Sequence, residues 1–579
     1  MKHSTTIKII LFSTSLIALS FLFLLNSCNS GTTSGYKSLP DDPGTIAAGK
    51  ISFGKNCSGC HAFRRDGMGP KLAGITNRVS EDWIRHFIKN PQQLISSGDK
   101  HAQELFAEYK VVMPSFSSLE DDELSAIIAF LYSHKTSDQQ SIKDSSIGLA
   151  NPIPIPIKLS SLVVDLKPLA QFPATDSIAP LARITKLTFL PKKNDLFVND
   201  LRGKLYKLQN EKPVVYLDVA KQRPKFIDQP GVATGLGSFA FHPDFAQNGL
   251  LYTTHAEVPG LVKADFDFGD SIEVTVQWVL TEWKADKPGA DTFSGTSREL
   301  FRVNMVTGMH GLQEITFNPL SKPGDKDYGL LYAGVGDGAC VENDYAFLVN
   351  SKEKIWGTII RIDPSGNNSI NGKYGIPADN PFAKDTNAKT LKEIYALGFR
   401  NPHRITWTKL GKMLCCNIGQ ANIESINLIE PGGNYGWPFR EGTFVLDLKT
   451  DLKKVNTLPA NDSVYKFTYP VAQYDHDEGF AITGGYEYTG EAIPQLKGKF
   501  LFGDIRSGRL FYIDVADIKQ GTQAIIKEWR ISLDGTTTTL KNLYGDSSVE
   551  LRFGMDAQGE IYILSKTDGK VYKLTDAKM

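Results

Sequence analysis

The sequence predicts two domains in series, a small all-α domain followed by an all-β six-bladed propeller. Three observations carry that expectation. Between Thr45 and Lys135 apolar residues recur at helical spacing. From residue 159 onward the texture changes to short apolar strands punctuated by Pro, Gly and Asn. Between the two stands Asn151-Pro152-Ile153-Pro154-Ile155-Pro156-Ile157, whose alternating prolines exclude a helix and read as a semi-rigid spacer holding the domains a limited distance apart. At 579 residues the chain also exceeds what one hydrophobic core usually encloses.

The α domain is placed at residues 45–136. Ser80 precedes Trp83, Ile84, Phe87 and Ile88, and Ser118 with Asp121 precedes Leu124, Ile127, Ile128 and Leu131; each set makes one apolar helix face behind an N-cap. Near its start stands Cys57-Ser58-Gly59-Cys60-His61. Two thiols at this spacing can bond covalently to the vinyl groups of a haem while the adjoining histidine reaches the iron. A redox dithiol or half a zinc site shares the Cys-x-x-Cys spacing, but neither asks for the abutting histidine. Together with the short helices and a final amphipathic helix, the segment resembles a small class I cytochrome c domain carrying haem c. That resemblance puts the sixth iron ligand at Met113, in Val112-Met113-Pro114-Ser115-Phe116, with His86, His101 and His134 as alternatives. A thioether ligand raises the haem potential and favours taking electrons from a reduced organic cofactor.

The ends of the α domain are linkers. Lys2 and Lys8 precede an apolar run from Ile9 to Leu25 that closes on Leu25-Asn26-Ser27-Cys28, so residues 1–28 resemble a bacterial lipoprotein signal with Cys28 as the lipidated first residue. An uncleaved transmembrane anchor is the alternative. Either places the chain outside the cytoplasm, in a periplasm or on an outer surface, and tethered to a membrane. Residues 29–44, rich in Ser, Gly, Thr, Pro and Asp, read as a flexible tether, and 137–158 as the second linker.

In the β domain, 159–579, a hairpin pattern recurs six times: Leu187–Pro191 with Asp195–Val198, Phe239–Pro243 with Gly249–Tyr252, Ile315–Pro319 with Gly329–Tyr332, Ile405–Trp407 with Gly411–Leu414, the region Gly498–Tyr512, and Leu551–Gly554 with Gly559–Tyr562. Six hairpins at uneven spacing suggest six blades with insertions between them. Lys+Arg and Asp+Glu both number 64, which gives no support to a nucleic-acid partner. Six cysteines, two assigned to haem, make no disulfide framework.

Several segments of the β domain resemble the glucose/sorbosone dehydrogenase family: Phe239–Phe245, Arg298–Leu300 leading to His310-Gly311, Gly334–Gly338, Trp356–Asp363, Ile376–Phe382, Leu397–Pro402, Gly432–Pro438 and Gly503-Asp504. The resemblance implies a sugar or polyol substrate, pyrroloquinoline quinone (PQQ) and Ca²⁺. It makes His310 the base for the substrate hydroxyl, with Asp337 orienting it, which suits an imidazole that titrates near neutral pH. It places Arg400, Asn401, Arg552 and Arg506 around the three carboxylates of the quinone, where guanidinium forks can bind bidentately. It gives Ca²⁺ the main-chain oxygens of Gly419 and Gln420, with Glu424 either at a second Ca²⁺ or capping a turn. Electrons would then leave through the haem to an external acceptor, a cytochrome or respiratory chain.

Ala233 stands where glucose-oxidising members carry a glutamine, and the insertion Ser321–Tyr328 is expected to reshape the pocket mouth. Cys415-Cys416 is expected as two thiols facing opposite sides of a strand, a vicinal disulfide being the alternative, and Cys340 as a buried thiol. Two rival functions remain. A cofactor-free binding propeller would leave the haem serving another dehydrogenase, and a lactonase-like hydrolase would need carboxylates and asparagines clustered on a central metal.

Overall fold

The α domain folds around a crossing of its first and last helices. Helix α1, Pro43–Asn56, starts two residues before the expected boundary, because Asp42 Oδ1 accepts from the amides of Gly44 and Thr45 and Pro43 sits in the first turn, where no N–H is needed. Helices α2, Glu81–Lys89, α3, Pro91–Ser96, and α4, Lys100–Tyr109, follow, and α5, Asp121–Tyr132, closes the domain. Ser80 caps α2 as expected, its Oγ accepting from Trp83 N at 3.2 Å. The cap of α5 is Glu120 rather than Ser118, with no side-chain hydrogen bond; three acidic residues in the first turn offset the helix dipole instead. Gly49 lets α1 meet α5, since a Cβ there would stand 1.9 Å from the Ala126 carbonyl oxygen. Beside that crossing Phe53, Phe63 and Phe130 pack with ring centroids 5.0 to 5.4 Å apart. Truncating the buried Phe53 would cost about 3–5 kcal/mol.

This is a computed structural model, and it describes residues 42–64, 66–109, 111–134, 148–177, 179–229, 233–269, 271–449, 452–545 and 548–579. The signal segment with Cys28 lies outside the described residues. Among the described residues, no helix is long and apolar enough to cross a membrane.

The β domain is a ring of four-stranded antiparallel sheets. Their first strands are Ile184–Phe189, Leu236–Phe241, Leu312–Phe317, Asn401–Trp407, Ile482–Glu487 and Leu551–Met555, and each touches the next around the ring. The ring closes through the N-terminal strand Lys158–Gln171, which adds to Lys570–Lys578 as the outer strand of the last sheet. The same strand also runs parallel to Lys527–Leu533 of the fifth sheet, joining neighbours at the rim. The fifth hairpin read from sequence, Gly498–Tyr512, holds second and third strands, Lys499–Asp504 and Leu510–Asp514. The true first strand, Ile-Thr-Gly-Gly-Tyr-Glu, carries two glycines in place of the apolar-Pro signature of its counterparts.

The proline spacer does not hold the domains apart. Prolines 152, 154 and 156 leave few amides in this stretch, and those of Ile153 and Ile157 donate to Asp475 Oδ2 and Glu478 Oε1, both at 2.9 Å. The spacer therefore lies along the propeller, and the α domain rests directly on the ring: Asn343 Nδ2 donates to the Ser58 carbonyl at 3.1 Å.

Candidate active site and haem crevice

Cys57, Cys60, His61 and Met113 line one crevice in the α domain, walled by Phe53, Ile84, Phe87 and Leu131. His61 Nδ1 pairs with the Pro70 carbonyl at 2.9 Å, which fixes the ring and leaves Nε2 for an iron. Burial holds its pKa below the ordinary value, so the imidazole is in the neutral, ligating form. Burial pushes the Cys57 thiol up to about 12 and Cys60 the same way, the reverse of what a dithiol-exchange motif needs. Of the alternative iron ligands, His86 bonds the Asp82 carbonyl, His134 stacks on Phe63, and none of the three histidines lines the crevice; Met68 does, alongside Met113. The donor set and the apolar walls fit a covalently held haem.

The propeller cavity follows from strand direction. First strands start, and second strands end, at the same end of the ring, so the residues flanking those points converge there. His310, Arg400, Asn401, Gly419, Gln420, Arg506 and Arg552 all line one cavity of about 520 Å³. Asp337 stands behind it, its Oδ1 2.8 Å from His310 Nδ1. The carboxylate is itself held: Ala339 N donates to Oδ1 and Trp437 Nε1 to Oδ2, each at 2.9 Å, and the Asp337 amide donates to the Arg400 carbonyl at 2.8 Å. A carboxylate acceptor requires the proton of the imidazole on Nδ1, so Nε2 is the basic nitrogen. His310 keeps φ at +49° to present this ring, a conformation few side chains adopt outside functional or tightly determined positions.

Arg400 is a structural anchor of the cavity. Its Nη1 donates to the Gly419 carbonyl at 2.5 Å and its Nη2 to Glu342 at 2.7 Å, while Nε is buried and unpaired. Removing either partner of this buried ion pair would cost on the order of 3–5 kcal/mol, far more than an exposed pair. Both expected calcium positions, Gly419 and Gln420, border the cavity. The Gly419 oxygen accepts from Arg400 Nη1, and the Gln420 side-chain amide is buried with neither atom paired. Glu424 accepts from Gly419 N, Ile482 N and His476 Nε2, so it caps the loop. Glu441 Oε1 gathers the four amides of residues 420–423, fixing the same loop.

The opposite wall is rich in cations. Arg552 and Lys566 are buried, with Glu550 3.8 Å from Lys566 Nζ, and Arg506 lies beside them. Burial pushes the Arg552 guanidinium down to about 10 and Lys566 well below the usual lysine range, Arg552 adding to the shift at Lys566. Arg552 Nε and both ring nitrogens of His403 are buried without partners. Unpaired buried donors around a roomy cavity fit a polyanionic ligand, since carboxylates would satisfy them.

Lys566, His403, Gln313 and Glu342 were not read from the sequence. Lys566 does carry a signal: it follows the second strand of its sheet, Ile561–Ser565, as Arg506, Gly419 and Asp337 follow theirs. Ala233 lines the cavity, its carbonyl taking Gln313 Nε2 at 3.1 Å. The insertion Ser321–Tyr328 does not reach the mouth; it lies in the turn after Leu312–Phe317, at the far end of the ring. Cys415 and Cys416 are free thiols packed into different cores on the two faces of their strand, and Cys340 is a buried free thiol.

Comparison with known proteins agrees with this division. Residues 46–135 match the model of cytochrome c, and residues 181–573 that of glucose/sorbosone dehydrogenase. Among curated relatives, the chain is 27% identical over 387 residues to the HIPL1 protein of Arabidopsis thaliana, covering 59% of this chain and 53% of that one. It is 27% identical over 231 residues to quinoprotein glucose dehydrogenase B of Acinetobacter calcoaceticus, covering 38% and 42%. The chain thus spans about half the length of these relatives. The solved apo structure of the soluble aldose sugar dehydrogenase from Escherichia coli shares the fold, with a TM-score of 0.50 at 18% identity over 72% of this chain and 99% of that one. The chain belongs to the glucose/sorbosone dehydrogenase family and joins that propeller to an N-terminal cytochrome c domain.

Proposed function

We propose that the chain is a quinohaemoprotein dehydrogenase that oxidises a sugar or polyol in the propeller cavity and passes the electrons through haem c to an external acceptor. The observation that carries this reading is the convergence of a held His310–Asp337 pair and buried cations, Arg552 with an unpartnered Nε, on one cavity that abuts the haem crevice.

His310 Nε2 takes the proton of the substrate hydroxyl. Asp337 keeps the imidazole in the reactive tautomer and stabilises the imidazolium that forms, while Trp437 and the Ala339 amide hold the carboxylate in place. Arg552, Lys566 and Arg506 would hold the carboxylates of PQQ, with His403 and Gln420 offering further polar atoms. When bound there, PQQ supplies the acceptor for the substrate hydride and haem c the one-electron outlet. The sequence features of residues 1–28 support a membrane-tethered, extracytoplasmic setting, where covalent haem attachment is compatible.

A lactonase-like hydrolase is not favoured: among the described residues no three His, Cys, Asp or Glu side chains group to hold a metal. The test is sugar-dependent reduction of the haem. Full-length protein with haem attached, loaded with PQQ, is screened with aldoses and polyols while the haem absorption is followed. Reduction by at least one of them in the loaded protein alone is expected; no reduction by any sugar overturns the reading.

A further inference from the structure

The propeller does not enclose its cavity alone. Gly67, Met68, Glu108, Tyr109 and Val111 of the α domain line it together with His310 and Arg400. They come from the loop after the haem motif and from the end of α4. The α domain is fastened on both sides of this wall. On one side Met309, next to His310, packs on Gly59, where a Cβ would come 2.5 Å from Met309 Cγ. On the other, Lys453 of the propeller reaches up between two carboxylates, 3.0 Å from Asp66 and 3.2 Å from Glu108, with its Nζ 3.9 Å from the Tyr109 ring centroid. Lys453 and Asp66 are only 26% and 17% exposed at their side chains, unlike the outlying Arg64–Asp344 contact at 58% and 38%, so among the described residues the Lys453–Asp66 contact is the more shielded of the two.

We propose that the haem domain is the outer wall of the substrate site and that Lys453 is a specificity-determining residue, restricting the substrate to a single sugar ring or a polyol of that size. This rests on the reading of the cavity as a sugar-oxidising site. A chain of sugar residues would have to pass where Glu108 and Tyr109 stand. A monosaccharide would lie beneath them, under a wall that Lys453 holds by engaging both Glu108 and Tyr109.

The test uses the full-length, haem-bearing, PQQ-loaded protein with a soluble dye as acceptor, so that electron exit does not limit the rate. The ratio of kcat/KM for a monosaccharide to that for its disaccharide and trisaccharide is expected to be about tenfold or more in the wild type, and to narrow to about threefold in Lys453→Ala through faster turnover of the longer sugars. An equal rate on all lengths in the wild type, or an unchanged ratio in Lys453→Ala, overturns the proposal. A zero-length carbodiimide cross-link between Lys453 and Asp66 or Glu108, identified by peptide mass, is expected irrespective of activity, and its absence overturns the wall itself. A cross-link without oxidation of any sugar overturns the dehydrogenase reading, and the size limit with it, while leaving the domain contact intact.

Discussion

In the haem crevice the groups placed to engage haem sit in Cys57–His61 plus Met113, all on one small helical domain. In the propeller cavity the walls come from every sheet of the ring: Thr185 and Ala233 from the first two, His310, Arg400 and Arg506 from the next three, Arg552 and Lys566 from the last. The difference lies in what each chemistry demands. Attaching a prosthetic group covalently needs two thiols and a ligand at fixed short range, which a helix end and its following turn provide locally. Surrounding a polyanion and a substrate demands cations and a base on different sides of a space, which strand ends arrayed around an axis provide.

That contrast can be broken at three points. Replacing Cys57 and Cys60 by Ser should abolish covalent haem entirely, seen as loss of haem from the denatured polypeptide, while dye-linked sugar oxidation in the propeller persists. Loss of both would show that the two sites do not act separately. Replacing His310 by Ala should leave covalent haem unchanged and lower both dye-linked and haem-linked kcat by on the order of 10²–10⁴. A fall in only the haem-linked rate would remove His310 from the role of base.

The smallest effect concerns Lys566. Burial and Arg552 lower its pKa, whereas a bound carboxylate favours the charged form, so the proposed quinone would bind the protonated lysine more tightly. PQQ affinity should therefore rise as pH falls through that depressed pKa, by up to about tenfold per pH unit, as read from equilibrium titrations at a series of pH values. Lys566→Met should flatten the dependence, and an unchanged slope would assign it to another group.

The haem site was legible because its signal is contiguous, and His310 and Asp337 because they lie in segments with a family pattern. Lys566 and His403 were not, since a lysine after a strand and a histidine within one are unremarkable until the ring brings both to a single cavity. The calcium positions are of another kind. Backbone oxygens leave no side-chain signature, and only the fold shows that Arg400 donates to the Gly419 carbonyl.

By itself the sequence determined the order of the domains, the covalent haem motif and the strand-rich character of the larger domain, because each rests on residues near one another in the chain. The tertiary structure decided what requires distant segments to meet. The strand Lys158–Gln171 closes the ring, the proline spacer lies along the propeller instead of holding the domains apart, and Lys453 fastens the haem domain over His310. Such pairings depend on where strands end and carboxylates point in space, which no local pattern specifies.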